Sequence, residues 1–261
     1  MMRVCLSLLA LVSAAHAAPA FPLEDGEHLS YRVSWAVVMG AGEIKIDAQR
    51  DTASAEPRLK VITTTATRRL ARLLLPFDAR SESVFDLTTG KLLTLHETSA
   101  TRSKKTDHTV IFDYATHTAS YTTPADTAGP RAFPIPEGDP MDLIMGLLQT
   151  RTWDMKPGDA RDALVLFDDD FYQLTIHAIR YEEVHTTLGA FNTLLLEPRM
   201  EKTDAKGMFK RGSTVRVWIA QDSHHLPVRF EVEFKIGTGT ATLESYQGPT
   251  SAAPDAKDSR P

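Results

Sequence analysis

The chain has 261 residues, 42% hydrophobic and 24% charged, with 29 lysines and arginines against 34 aspartates and glutamates for a net charge of −5. That length is enough for a sizeable core, and the composition excludes a wholly disordered chain. The acidic balance argues against nucleic acid as a partner, and a lone cysteine, Cys5, excludes a disulfide framework.

Residues 1–17 begin with the positive charge of Arg3, continue through a short apolar run at 6–12 and end in Ala15, His16 and Ala17. This is the pattern of a secretory signal cleaved after Ala17. Since Cys5 lies inside it, the exported chain lacks cysteine, which excludes thiol chemistry and suits a bacterial periplasm or surface. No later segment has the length and apolarity of a membrane span.

From His28 the chain alternates: Leu29, Tyr31, Val33 and Trp35 on one side, His28, Ser30, Arg32 and Ser34 on the other. A period of two is that of a strand with one wet face. Gly40 and Gly42 read as the turn into a second strand carrying Ile44, Ile46 and Ala48, and a threonine-rich third strand covers 59–67. Residues 68–75 change period, with Leu70, Leu73 and Leu74 at helical spacing among Arg68, Arg69 and Arg72 before Pro76. The expected role of this short helix is to cap one end of the sheet; contact with an anionic surface is the alternative.

Strands resume at 77–86, 92–101, 106–114 and 118–122, long enough to favour a wide curved sheet. Residues 124–140 hold five prolines and read as an extended connection, the candidate subdomain boundary or a loop across a cavity mouth. A helix is expected over 139–152, with Asp139 as its cap, Pro140 at its first position and Leu143, Ile144, Leu147 and Leu148 on one stripe. Further strands follow at 163–167, 171–180, 181–187 and 191–200.

The most regular stretch is 207–246. Val215, Val217 and Ile219 alternate in one strand, and Val228, Phe230, Val232, Phe234 and Ile236 alternate with charged residues in the next. Residues 221–225 form the reversal, and Gly237 and Gly239 lead into a third strand ending near Tyr246. The domain therefore spans 18–246, and 247–261 form a tail without apolar period, expected to be disordered. The fold class is all-β and mainly antiparallel: a strongly curved sheet or open half-barrel meander with one or two short helices.

Signals for chemistry are sparse. Asp168, Asp169 and Asp170 lack the spacing and glycine of a calcium loop and read as a hairpin turn. His224 and His225 are adjacent, so a strand would point them to opposite faces, and no paired-histidine zinc motif is present. No nucleophile elbow, phosphate loop or dinucleotide fingerprint appears. No catalytic residue, metal ligand or cofactor is thus indicated. Aromatic residues are more informative: Tyr31 and Trp35 share a face, Trp153 follows the long helix, and Trp218 has the opposite parity to Val217 and Ile219. These four are the candidate lining of a ligand site, with ordinary core packing as the alternative.

Several segments together resemble the bacterial exported proteins grouped as domain of unknown function 3108, whose fold is described as YmcC-like. They are Leu29 to Trp35 (LSYRVSW) followed by Gly40, Asp142-Leu143 leading to Gln149-Thr150-Arg151 and Pro157-Gly158, and the run LGAFNT at 188–193. Gly207-Met208-Phe209, Val217-Trp218-Ile219, Asp222 and Leu226-Pro227-Val228 complete the set. The resemblance implies a curved antiparallel β architecture in an exported protein, and it implies no activity or site residues. The expected function is non-enzymatic: an envelope protein that holds an apolar or lipid-like ligand, or a partner protein, in a concave sheet. The alternatives are a hydrolase of envelope polymer using Asp168, Asp169 or Glu97, and a structural assembly component pairing through a strand edge.

Overall fold

The computed structural model describes residues 21–205, 209, 213–234 and 237–250. The signal-like segment 1–17, Gly207, Met208, Ile236 and tail residues 251–261 lie outside them. Fifteen strands form one curved, unclosed sheet. In chain order they are β1 (His28–Trp35), β2 (Val38–Arg50), β3 (Arg58–Thr67), β4 (Phe77–Asp86), β5 (Leu92–Thr101), β6 (Lys105–Asp113), β7 (Thr118–Thr122) and β8 (Arg131–Pro134). Then come β9 (Met141–Asp142), β10 (Ala160–Phe167), β11 (Asp170–Thr186), β12 (Gly189–Arg199), β13 (Thr214–Ala220), β14 (Pro227–Phe234) and β15 (Gly237–Gln247). The spatial order runs from β8 down to β1, then from β15 down to β9. The first and last long strands therefore pair at the centre of the sheet, and the expected curved, mainly antiparallel architecture is what the chain forms. Every pairing is antiparallel except the two-residue contact of β9 with β10.

Local boundaries differ from the sequence expectation in several places: the stretch 124–140, read as an extended connection, contains β8, which pairs with β7, and three further differences have a physical reason. The first turn is at Ala36 and Val37, with Ala36 at φ 48, and Gly42 lies inside β2. A Cβ on Gly42 would approach the carbonyl oxygen of Ala66 to 2.9 Å, so that glycine allows β3 to come close rather than making a turn. The strands expected at 171–180 and 181–187 are one strand, β11, bent at a bulge between Ala178 and Arg180. The long helix is shorter and starts later: α2 spans Leu143–Leu148, and a 3-10 turn, Gln149–Thr152, completes it. Its cap is Asp142, not Asp139, because Met141 and Asp142 are held extended against β10 and only then can Asp142 accept the Met145 amide, at 2.9 Å.

The register defines the inner face of the sheet. Tyr31, Ile44, Thr65, Ala79, Ser99 and Thr106 form one continuous row across β1 to β6. Ala48, Val61, Ser83, Leu95, Val110 and Tyr121 form another. On the other side of β1 the face continues through Val33, Ala241, Phe230, Val217, Leu196 and Ala178. Helix α2 lies on this face, since Asp142 accepts from Ser83 at 2.5 Å and Met145, Leu147 and Leu148 are buried.

Burial grades along the strands. Val61, Ser83, Leu95 and Val110 are buried, whereas Thr65, Ala79, Ser99 and Thr106, nearer the Trp35 end, are only half-buried. One end is thus packed shut, with Phe21 edge-on to Phe85 at 5.0 Å, and the other is open. The two margins of the sheet approach each other without a ladder: Phe133 of β8 meets Phe171 of β11 at 5.4 Å, and Arg131 pairs with Asp169 in the β10–β11 turn.

The closed end is locked by a buried ion pair. Arg151, following α2, bonds Glu27 at 3.0 Å and also donates to the carbonyls of Pro22 at 2.7 Å and His224 at 3.1 Å. Tyr246 donates to the same Glu27 carboxylate at 2.9 Å. The side chains of Arg151 and Glu27 are only 9% and 3% exposed, so removing one partner strands a desolvated charge. Arg151→Ala is expected to lower stability by about 3–5 kcal/mol in urea unfolding; a loss below about 1 kcal/mol would show that the lock is not structural.

Candidate functional site

The open half of the inner face encloses a cavity of about 230 Å³. Its walls are Tyr31, Val33 and Trp35 of β1, Ile44 and Ile46 of β2, Ile144 and Leu147 of α2, Val215, and Phe230, Val232 and Phe234 of β14, with Gly239, Thr240 and Ala241 of β15. The alternating strands supply these side chains because they share parity with the buried rows described above. Ile144 and Leu147 come from one stripe of α2.

Rigid aromatic contacts shape the cavity. Tyr31 meets Phe230 edge-on at 5.3 Å, and Trp35 stacks on Phe234 at 5.5 Å. A Cβ on Gly239 would lie 3.2 Å from the Trp35 ring, so the glycine makes room for the indole. The Tyr31 hydroxyl, at the base, donates to the Pro227 carbonyl at 2.9 Å, and burial holds this phenol protonated far above its ordinary range. What remains facing the cavity is almost wholly apolar.

Of the four aromatic residues singled out in the sequence, the fold brings Tyr31 and Trp35 together here. Trp153 and Trp218 stand elsewhere. Trp153 borders a separate recess of about 40 Å³ with Met155, Leu194, Leu196 and Ile219. Trp218 is on the opposite face of the sheet, as its parity requires; its indole donates to Glu182 and Arg229 lies 5.6 Å from the ring. Phe230, Phe234 and Val232 were legible as one alternating row, but nothing local in the sequence placed that row opposite Ile144 and Leu147.

Beside the apolar wall stands a hydroxyl-rich one. Thr63, Thr65, Ser81, Ser99 and Thr106 occupy the same face on β3 to β6, and Ser99 and Thr106 bond each other at 2.6 Å. Toward the open end this wall borders a groove of about 670 Å³ with Ala79, Tyr121 and Thr123, rimmed by the charged Asp78, Arg80, Lys105 and Asp107. One row deeper, Glu97 lies 3.2 Å from His108, and the imidazole stacks on Tyr121 at 5.0 Å and is buried.

The carboxylates considered for hydrolysis do not converge. Asp168 and Asp169 sit in the β10–β11 turn, Asp169 engaged by Arg131, whereas Glu97 is on the inner face of β5. Besides Glu27 the buried acid is Asp142, which the sequence marked only as part of the family resemblance. Desolvation raises it from an ordinary 3.8 to about 6, offset in part by the bonds from Ser83 and the Met145 amide. An acid raised on folding binds more protons in the folded chain, so stability falls as pH climbs from about 4 to about 6 and the penalty is complete above that.

Asp142→Asn keeps an acceptor for the Met145 amide and removes the charge. It is expected to abolish this part of the pH dependence and to be at least as stable as the parent at pH 7.5, whereas Asp142→Ala loses the cap and about 1–2 kcal/mol. Denaturation midpoints of the three proteins at pH 4.5 and 7.5 check this. A parent whose stability relative to the Asn variant is the same at both pH values would refute it.

Comparison with known proteins gives three findings. The family model described as "Protein of unknown function (DUF3108)" matches residues 30–244. No curated protein matches the sequence. A crystal structure of a beta-barrel-like protein of domain of unknown function DUF1849 from Brucella abortus is similar with a TM-score of 0.56 at 8% identity, covering 88% of this chain and 100% of that one. At that identity the likeness concerns the fold alone.

Proposed function

The chain belongs to the DUF3108 family, and for this member we propose a non-enzymatic cell-envelope protein that holds an apolar, lipid-like ligand on its inner face. The observation that carries this reading is the almost wholly apolar cavity bounded by Tyr31, Trp35, Phe230 and Phe234, at whose base the Tyr31 hydroxyl is already bonded to the Pro227 carbonyl. Drug-sized sites occupy about 300–1,000 Å³, so a cavity of about 230 Å³ suits the apolar end of a longer molecule better than a whole one. The rest of such a molecule has the threonine and serine wall and the open groove beside it. An amphiphile matches both surfaces.

Export to a bacterial periplasm is part of the same proposal, supported by the signal-like residues 1–17. Among the described residues no helix is long and apolar enough to cross a membrane. A hydrolytic role finds less support, because Asp168 and Asp169 are in a turn while Glu97 lies apart on β5.

Purified protein is expected to carry copurifying lipid in native mass spectrometry and to bind an apolar naphthylamine dye. Val232→Trp, which fills the cavity from its wall, is expected to weaken dye binding at least about tenfold, or about 1.4 kcal/mol, while the circular dichroism of the sheet is retained. Unchanged dye affinity in that variant, together with no copurifying ligand, would defeat the proposal.

A further inference from the structure

The helix α1, Arg69–Leu74, buries none of its residues. Its leucine stripe therefore does not cap the sheet: Leu70, Leu73, Leu74 and the following Leu75 are 58–74% exposed. Val37 and Met39, at the β1–β2 turn, are 93% and 70% exposed. The β1–β2, β3–β4 and β5–β6 connections all emerge at the open end of the meander, so these side chains share one end of the molecule. Apolar exposure concentrated in this way marks a surface that meets something other than water.

Basic groups surround the leucines. Arg68 and Arg72 are paired with Glu43 and Asp78, but Arg69, Arg102, Lys104 and Lys105 form no ion pair among the described residues. Arg102 donates to the Leu73 carbonyl at 2.8 Å, tying the β5–β6 turn to α1. A local excess of cations in a chain of net charge −5 is a matched feature of this end, not of the whole protein.

We propose that this end docks on the surface of an anionic phospholipid bilayer. The leucines of α1 and Val37 enter the boundary between headgroups and acyl chains, and the surrounding arginines and lysines meet lipid phosphates. Exposed apolar side chains on the β1–β2 and β3–β4 connections stand beside unmatched cations on the β3–β4 and β5–β6 connections, which suits a fluid surface offering acyl carbon and phosphate anywhere along it. The docking is independent of what the cavity holds, although it faces the open end of the inner sheet toward lipid.

The test is co-sedimentation of the purified protein with vesicles. Phosphatidylcholine vesicles containing about a quarter phosphatidylglycerol are expected to bind it at least about tenfold more tightly than pure phosphatidylcholine, with release at high salt. Leu73→Glu with Leu74→Glu is expected to lose at least about tenfold of that affinity while its unfolding midpoint and dye uptake stay unchanged. Arg102→Gln, Lys104→Gln and Lys105→Gln together are expected to remove most of the salt-sensitive part. Failure of the parent to bind anionic vesicles, or equal binding by the leucine variant, would overturn the proposal. Self-association that the leucine variant abolishes, in a parent that ignores vesicles, would likewise overturn it and assign the patch to a protein partner. Loss of vesicle binding with dye binding intact leaves the cavity reading standing, so the two can fail separately.

Discussion

A sheet of fifteen strands with one apolar face cannot lie flat in water, and the manner in which that face is covered determines the rest of the molecule. Among the described residues no second sheet packs on it. The sheet curls on itself instead, and α2 is drawn into the hollow with Met145 and Leu148 fully buried. The cap at Asp142 follows from this position: a carboxylate deep under the sheet, bonded to Ser83 and to its own helix, fixes where the chain stops being strand and becomes helix. One short helix fills only part of the hollow. The remainder is closed by residues 21–27 at the end held by Arg151 and Glu27, and left open at the end near Trp35.

Much of this was legible in the amino-acid order. The alternation of Leu29, Tyr31, Val33 and Trp35, and again of Val228, Phe230, Val232 and Phe234, marks inward-facing rows whatever the topology, because side chains in a strand repeat every two residues. The threonine-rich run at 59–67 was legible only as a strand, because Thr64 between Thr63 and Thr65 hides which of them face inward to the hydroxyl wall. Pairing of β1 with β15 was not legible, since contacts between residues more than two hundred apart leave no local trace. Nor was the cap: Asp139 followed by Pro140 satisfied the local rule for a helix start, and the competing demand came from β10, which holds Met141 and Asp142 extended. Trp153 and Trp218 show the limit of composition. Both are large aromatics in an apolar context, but one belongs to a different recess and the other to the far face of the sheet.

The two ends of the hollow differ in physical character. At the closed end a desolvated ion pair and two backbone acceptors converge on Arg151, an arrangement that tolerates little movement. At the open end an aromatic and aliphatic wall faces a wall of hydroxyls, and the connections beyond it present leucines to the outside. Rigidity below and accessible apolar surface above is the contrast on which the proposal of a held amphiphile rests.

The meeting of the sheet's margins has a mechanical corollary. Around most of the circumference neighbouring strands are joined by ladders of backbone hydrogen bonds, which break only together. Between β8 and the β10–β11 turn the fastening is a phenylalanine pair and a solvent-exposed arginine–aspartate contact, which can release one at a time. The wall is consequently weakest along a lengthwise slit. Parting along that slit widens the hollow with no strand pairing broken, so the circumference can change while every ladder stays intact.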